Sequence, residues 1–186
     1  MSFYMTPACA EAMREELRDL LYTKRPEMAR TAEWAASNGD RSENADYHYA
    51  KRALRRFDSR IRFLSKRLEG AQIIDPVAQG KVAGVKVLFG ATVTVDEEGE
   101  EKVYSIVGVD ETAPGRGVIS WVSPLGKALL GKREGDVVTF VAPKGERELE
   151  ILKVEYLPIA VGVVPAPEED DAEDVDGSGA NFPMLP

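Results

Sequence analysis

The sequence predicts an α+β fold: an N-terminal antiparallel α-helical coiled-coil hairpin, then a small antiparallel β domain with one short helix, then a disordered acidic C-terminal tail. Two helical patterns of apolar residues, joined by a short polar segment, predict the hairpin. Short runs rich in Val and Ile, bounded by turn residues, predict the β domain. The corresponding domains span residues 1–76, 80–158 and 159–186.

The first helix is predicted to begin at Thr6-Pro7, because Thr is a favoured N-cap residue and Pro is favoured at the first helical position. Pro26 lies inside the helical pattern and has no N–H to donate, so it predicts a kink or the loss of one backbone hydrogen bond. The pattern extends to about residue 37 on apolar residues at Met13, Leu17, Leu20, Leu21, Met28 and Ala35.

The second helix has a regular apolar pattern with alternating spacings of three and four: Tyr47, Ala50, Leu54, Phe57, Ile61, Leu64 and Leu68. This is the a/d pattern of a coiled coil. Only residues 38–44 separate the two helices, and a connection this short joins antiparallel neighbours. At about 1.5 Å per residue the hairpin would be about 40–45 Å long. Residues 38–46, called the tip below, would form its far end.

The β domain is predicted from short apolar segments that follow Asp75-Pro76. Turn residues such as Glu98-Gly99 separate them, and residues 125–130 indicate one short helix. The segments are residues 86–95, 103–109, 118–122, 137–141 and 150–156. The tail that follows is rich in acids, Pro and Gly, a composition typical of disorder.

Composition narrows the possible functions. The net charge is −8, but residues 165–186 hold seven acids and no base, so the rest of the chain has a net charge of −1. With only Cys9 and His48, the chain can form no intrachain disulfide and no thiolate or imidazole zinc site. Any metal would be a hard cation held by carboxylates. Neither a signal peptide nor an apolar segment of about 20 residues is evident, which predicts a cytoplasmic protein without membrane contact.

The tip contains three acids at every third position, Asp40, Glu43 and Asp46. One interpretation is helix capping, because Asp40-x-x-Glu43 resembles a capping box and acids stabilise helix N-termini. The other is an outward-facing site, in which two carboxylates hold a Mg²⁺ that takes its remaining ligands from water, a phosphate or a partner. Spacing alone favours capping, whereas the position at the end of a long arm favours outward chemistry.

The second helix carries a one-sided basic row within 17 residues, opposed there only by Asp58. A solvated coiled-coil exterior is the simple alternative, but such exteriors usually mix charges. A row of one sign favours contact with nucleic-acid phosphates. No aromatic platform accompanies it, so base-specific recognition is not expected. The basic row consists of Lys51, Arg52, Arg55, Arg56, Arg60, Arg62, Lys66 and Arg67.

The run WAASNGDRSENADY at residues 34–47, followed by the basic row, closely resembles the bacterial Gre family of transcript-cleavage factors, and most of all its GreB branch. Arg25-Pro26-Glu27 upstream and SPLGKALLGK at residues 123–132, with Gly135-Asp136, fit the same family. The resemblance spans about residues 5–158; the first four residues and the tail depart from it.

This resemblance implies a C-terminal domain similar to FKBP prolyl isomerases that docks on bacterial RNA polymerase. The coiled coil would enter the secondary channel, where acids matching Asp40 and Glu43 help to hold a second Mg²⁺ and position the attacking water. The polymerase would then cleave the backtracked transcript, so the factor is not itself an enzyme. The Mg²⁺ would be shared with the polymerase active centre and bound only weakly by the free protein.

The resemblance also implies roles for further residues. Arg41, Ser42, Asn44 and Asp46 would support the tip. The RNA-facing part of the basic row would be Lys51, Arg52, Arg55, Arg56 and Arg60. Polymerase docking would involve Ser123, Pro124, Leu125 and Asp136.

The partners expected are bacterial RNA polymerase and the 3′ segment of the nascent RNA, with non-specific nucleic-acid contact and a monomeric factor. The main alternative is a regulator that enters the same channel without stimulating cleavage. A prolyl isomerase or chaperone, based on the β domain, and a plain coiled-coil adaptor are further alternatives. The adaptor leaves both the tip motif and the basic row unexplained.

Overall fold

The computed structural model describes residues 3–39 and 43–161 of the chain. One arm of the hairpin consists of helix α1 (Pro7–Asp19), a π-helical turn (Leu20–Lys24) and helix α2 (Arg25–Ser37). The other arm is helix α3 (Ala45–Glu69). The predicted helical hairpin is therefore confirmed, and α1 begins where the sequence indicates, with the Thr6 hydroxyl accepting a hydrogen bond from the Cys9 N–H at 3.3 Å.

The π-helical turn explains how the first arm accommodates Pro26. A proline ring clashes with the carbonyl four residues before it, here that of Tyr22. In the structure the Arg25 N–H bonds to the Leu20 carbonyl five residues back, the wider π-helical pattern. The arm thus continues through Pro26 as helix, and the extra residue in the turn changes which side chains of the arm face α3. Leu21, predicted in the apolar pattern, is 39% exposed.

Small residues form the contact between α2 and α3 near the tip. Ala32 and Ala35 are buried on α2, and Ala50 and Ala53 are buried on α3. The prediction placed Leu54 in this contact, but Leu54 is only half-buried and its neighbour Ala53 takes the inner position. Toward the base of the hairpin, larger side chains form a cluster of Met5, Cys9, Ala10, Met13, Leu20 and Leu64.

Short elements missed by the sequence analysis close the base of the hairpin. Strand β1 (Phe3–Met5) pairs in parallel with β2 (Ala71–Ile73), which joins the start of the first arm to the end of the second. Three residues are too few to show a strand alternation in sequence. Helix α4 (Pro76–Ala83) then leads into the β domain.

The β domain is a five-stranded sheet, as predicted, with antiparallel pairing except between β4 and β5. Its strands are β3 (Thr92–Glu97), β4 (Glu100–Val107), β5 (Val118–Ser120), β6 (Val137–Ala142) and β7 (Gly145–Glu155), in the order β5-β4-β3-β7-β6. The short helix α5 (Pro124–Leu129) packs Leu125 and Leu129 into the core. Predicted residues 86–91 are not strand, since the Val87 backbone bonds to Gly131 and Lys132 beside the sheet.

Polar and aromatic contacts join the hairpin to the β domain. The Arg67 guanidinium near the end of α3 lies 3.1 Å from the Asp110 carboxylate and stacks over the Phe3 ring at 4.2 Å. Tyr4 packs edge-on against Trp121, with ring centroids 5.2 Å apart. The base of the hairpin is therefore held against the loop that follows β4. Among the described helices, none is both long and apolar enough to cross a membrane.

Candidate functional site

Asn44 organises the start of α3 at the tip. Its side-chain oxygen accepts a hydrogen bond from the Tyr47 N–H at 3.0 Å, so Asn44 is the N-cap of α3. Asp46 lies in the first turn of α3, where an acid is favoured by the helix dipole. The capping interpretation of Asp40-x-x-Glu43 is therefore wrong for α3, because the helix begins only at Ala45. Glu43 is exposed and precedes the cap.

Asn44 also joins the two arms. Its amide NH₂ donates to the Ala35 carbonyl at 2.6 Å, across nine residues of chain. The last carbonyls of a helix and its first N–H groups have no partner within the helix. One side chain therefore binds both an N–H at the start of α3 and a carbonyl at the end of α2, which also accepts from the Asn38 N–H at 3.2 Å. Capping by Asn is readable from sequence, but this second contact is not, because it depends on how the arms meet.

The connection between the arms needs a glycine at one point. Gly39 has a φ of +145°, a conformation that residues with a side chain rarely adopt. No atom lies within 4 Å of where a Cβ would stand, so backbone conformation and not space requires the glycine. The predicted tip residues Asp40, Arg41 and Ser42 lie outside the described residues.

Four of the five predicted RNA-facing residues are exposed on α3: Lys51, Arg52, Arg55 and Arg56. Arg60 differs, because its side chain is only 11% exposed and binds the Glu16 carboxylate of α1 through two hydrogen bonds of 2.6 and 2.8 Å. A guanidinium bound in this way holds the arms together instead of facing RNA. Arg67, in the same row, is bound to Asp110.

Asp58 is the one acid within the basic row, and it forms an ion pair with a residue of the other arm. Its carboxylate accepts a hydrogen bond from the Arg25 side chain at 2.6 Å. Arg25 therefore supplies a counter-charge to Asp58 from the other arm. The exposed surface of α3 remains predominantly basic.

Two protein-family models match the chain, one over the hairpin and one over the β domain. The family model "Transcription elongation factor, N-terminal" matches residues 3–73, and "Transcription elongation factor, GreA/GreB, C-term" matches residues 82–156. A GreB of Neisseria meningitidis serogroup B is 48% identical over 157 residues, which cover 84% of this chain and 95% of that protein. The chain belongs to the GreA/GreB family of transcription elongation factors.

A GreA relative agrees with this assignment. The GreA of Alkalilimnicola ehrlichii is 46% identical over 154 residues, covering 82% of this chain and 96% of that protein. Among solved structures, GreA factor homolog 1 (Gfh1) of Thermus thermophilus is 25% identical, covers 83% of this chain and 99% of its own, and has a TM-score of 0.38. The predicted Gre resemblance, with its likeness to the GreB branch, is confirmed.

In this GreA/GreB family member, the residues predicted to dock on the polymerase have mostly local roles. Ser123 caps α5, accepting from the Gly126 N–H at 3.0 Å. The Asp136 carboxylate accepts from the Arg133 N–H at 2.8 Å in a turn. Leu125 is 7% exposed and packs in the core, which corrects its prediction as a contact residue. Pro124 alone among the four is exposed.

Proposed function

We propose that this chain binds bacterial RNA polymerase, inserts its hairpin into the secondary channel and stimulates cleavage of the backtracked 3′ RNA. The polymerase performs the hydrolysis, and the factor supplies acids to its active centre, so it is not itself an enzyme. Arrested elongation complexes would regain a usable 3′ end. The chain would act as a monomer in the cytoplasm, where bacterial transcription takes place.

The observation that carries this proposal is the position of Glu43. It is an exposed residue at the end of the hairpin, before the helix that Asn44 caps. Because Asn44 performs the capping, the Glu43 carboxylate is not needed to start α3. An acid held at the end of a two-helix arm can reach into a narrow channel that the β domain cannot enter.

The donor set fits a shared Mg²⁺. Carboxylate oxygens are suitable Mg²⁺ ligands, and Asp40 and Glu43 are the residues that would hold the ion. Within residues 3–39 and 43–161, no three His, Cys, Asp or Glu side chains gather closely enough to bind a metal. The remaining ligands would come from water, the polymerase and the RNA. When bound, the ion would stabilise negative charge at the scissile phosphate.

The other tip residues and the basic row have supporting roles in this proposal. Asn44 and Asp46 set the start of α3 and so the position of Glu43. The exposed Lys51, Arg52 and Arg56 would lie along the extruded RNA and hold it by phosphate contacts. Such contacts position a strand without reading its sequence, which suits a factor acting on any transcript.

The test uses arrested elongation complexes assembled from purified polymerase and a 3′-backtracked RNA. We expect Asp40→Asn with Glu43→Gln to abolish stimulated cleavage while polymerase affinity stays within about twofold. Glu33→Gln, which changes an exposed acid on α2, is the matched control and should cleave like the wild type. Full cleavage by the double variant would refute the proposed site. Wild-type binding without any stimulated cleavage would instead identify a channel regulator.

A further inference from the structure

The acidic C-terminal segment lies outside the part of the chain shared with the family. The C-terminal family match ends at residue 156, and the described residues end at 161. Residues 168–176 contain seven acids, and no base occurs between 165 and 186. This concentration of negative charge lies beyond the residues that match the family model.

The surface whose charge is opposite to that of the acidic segment is the exposed part of the basic row on α3. Its exposed members are Lys51, Arg52, Arg55, Arg56, Arg62 and Lys66. From residue 51 to residue 66 this surface is roughly 22 Å long, at about 1.5 Å per helical residue. A nine-residue segment such as 168–176 spans at most about 30 Å when extended, so one can lie along the other.

The chain leaves the β domain at the base of the hairpin. Val161 packs against the cluster at the base of the hairpin, which includes Met13 and Leu64. The Ala160 carbonyl accepts a hydrogen bond from the Arg116 side chain at 3.4 Å, which helps to hold the segment there. The acidic segment is thus tethered at the base of the same hairpin arm that carries the basic row.

The tether is long enough for the contact. Six residues lie between Val161 and Glu168, and the seven Cα–Cα steps that they make can span up to about 24 Å. Arg56 lies eight residues before Leu64 on α3, a distance of roughly 12 Å along the helix axis. A tethered ligand within reach has an effective concentration of order mM, so individually weak ion pairs suffice to keep it bound much of the time.

We propose that residues 168–176 bind along the exposed basic row of α3 in the same molecule and compete with nucleic acid for it. The acidic segment acts as an internal mimic of the RNA backbone. It suppresses non-specific nucleic-acid binding by the free factor and is displaced when a backtracked RNA is presented at close range. The contact is electrostatic, so it weakens as salt shortens the screening length, which is about 8 Å at 0.15 M.

The first experiment measures binding of a fluorescent single-stranded RNA without polymerase, by anisotropy, at 50 and 300 mM salt. Deletion of residues 165–186 should tighten RNA binding about tenfold at low salt, if the segment occupies the row nine-tenths of the time. The difference should shrink at high salt. A full-length variant with the acids neutralised should match the deletion: Glu168→Gln, Glu169→Gln, Asp170→Asn, Asp171→Asn, Glu173→Gln, Asp174→Asn and Asp176→Asn.

The matched control changes the apolar end of the tail and keeps the acids: Phe182→Ser, Met184→Ser and Leu185→Ser. It should bind RNA like the full chain. Equal RNA affinity of all four proteins would overturn the proposal. Tighter binding by the deletion but not by the neutralised variant would show that bulk, not charge, is responsible, and would overturn it as well.

A second experiment locates the contact. A spin label attached through Ser178→Cys is selective because the native Cys9 is buried. It should broaden NMR amide signals of residues 51–62 in the same molecule. Broadening of an isotope-labelled, untagged chain in a mixture would indicate binding between copies, and no broadening on α3 would indicate no contact; either result overturns the proposal. None of these measurements involves cleavage, so the outcome is independent of the proposed function.

Discussion

The Glu111 carboxylate accepts hydrogen bonds from both the backbone N–H of Thr6, at 3.0 Å, and the Thr6 hydroxyl. These bonds join the first helix of the hairpin to the β domain. It also accepts the Gly108 N–H at 2.8 Å. Glu111 is only 1% exposed, so these donors are shielded from water. With Arg67 bound to the neighbouring Asp110, one loop holds both arms of the hairpin at their base.

Replacing Glu111 with Gln should destabilise the protein by about 1–3 kcal/mol, since an amide cannot accept all three donors and a buried polar group is left unsatisfied. The free energy of unfolding from urea titration at pH 7 measures this. Glu101→Gln, at an exposed position of β4, is the control and should change stability by less than about 0.5 kcal/mol. Equal stability of the two variants would contradict the role assigned to Glu111.

A rotation at this junction is amplified at the tip. Over about 37 Å of α3, a rotation of roughly 10° moves the far end by about 6 Å. Glu111→Gln should therefore broaden the distance distribution between spin labels on the tip and on the β domain. An unchanged distribution would show that Arg67 and Asp110 hold the hairpin orientation by themselves.

Glu97 predicts a loss of stability in acid. It is 7% exposed and accepts hydrogen bonds from Arg147 on β7 and, at 2.9 Å, from Lys102 on β4. These bonds lower the pKa of Glu97 to about 2 from an ordinary 4.5. The native pKa is depressed, so the contribution is fully present above pH 4.5 and is lost as pH falls toward 2.

The measurement for Glu97 is the stability difference between the wild type and Glu97→Gln as a function of pH. We expect about 1.5–3 kcal/mol at pH 7, typical of hydrogen bonds to a charged group, and a decline below pH 4.5. Glu111 should show the opposite pH dependence. Burial raises the pKa of the Glu111 carboxyl, so the stability that its protonated form contributes is lost as pH rises. A difference for Glu97→Gln that stays constant down to pH 3 would contradict the assignment.

Asn44 offers a test that separates capping from the link between the arms. Asn44→Asp keeps an oxygen to accept the Tyr47 N–H but cannot donate to the Ala35 carbonyl, whereas Asn44→Ala loses both contacts. The Ala variant should be destabilised by about 1 kcal/mol, the usual cost of losing an N-cap. In both variants cleavage of arrested complexes should fall while polymerase affinity is retained, because Glu43 is less firmly held.

Hydrogen exchange distinguishes the two Asn44 variants. The Tyr47 amide should stay protected in Asn44→Asp and lose protection in Asn44→Ala. If Asn44→Asp cleaves like the wild type, the contact with Ala35 does not position the tip, and capping alone is sufficient.

Within the basic row, the salt dependence of RNA binding should separate exposed residues from bound ones. Arg52→Ala or Arg56→Ala should each reduce the slope of log affinity against log salt by about 0.7, the value for one phosphate contact on a single strand. Arg60→Ala should leave the slope unchanged and lower stability, since Arg60 is bound to Glu16. The tail-deleted protein is the background of choice. An equal change of slope in all three variants would contradict this division.

Much of the hairpin was predictable because its signals are local. The Thr6-Pro7 start and the alternating spacing along α3 both act within a turn or two of helix; the start was correct, and the spacing identified the helix but placed Leu54 where Ala53 is buried. Helix α4 and the strand pair at the base were missed, because neither carries a periodic pattern long enough to identify. The family assignment was likewise available from the motif at residues 34–47, since those residues are consecutive.

By itself, the sequence determined an antiparallel helical hairpin, a small β domain and an acidic motif between the arms, since periodicity, capping and turn chemistry are short-range properties of a chain. Only the tertiary structure decided that Asn44 also binds Ala35, that Arg60 is bound to Glu16, and that Glu111 is buried against Thr6. These are contacts between residues distant in sequence or on different helices. They depend on how the π-helical turn rotates one arm and on which side chains then lie opposite one another, and local sequence patterns do not specify that arrangement.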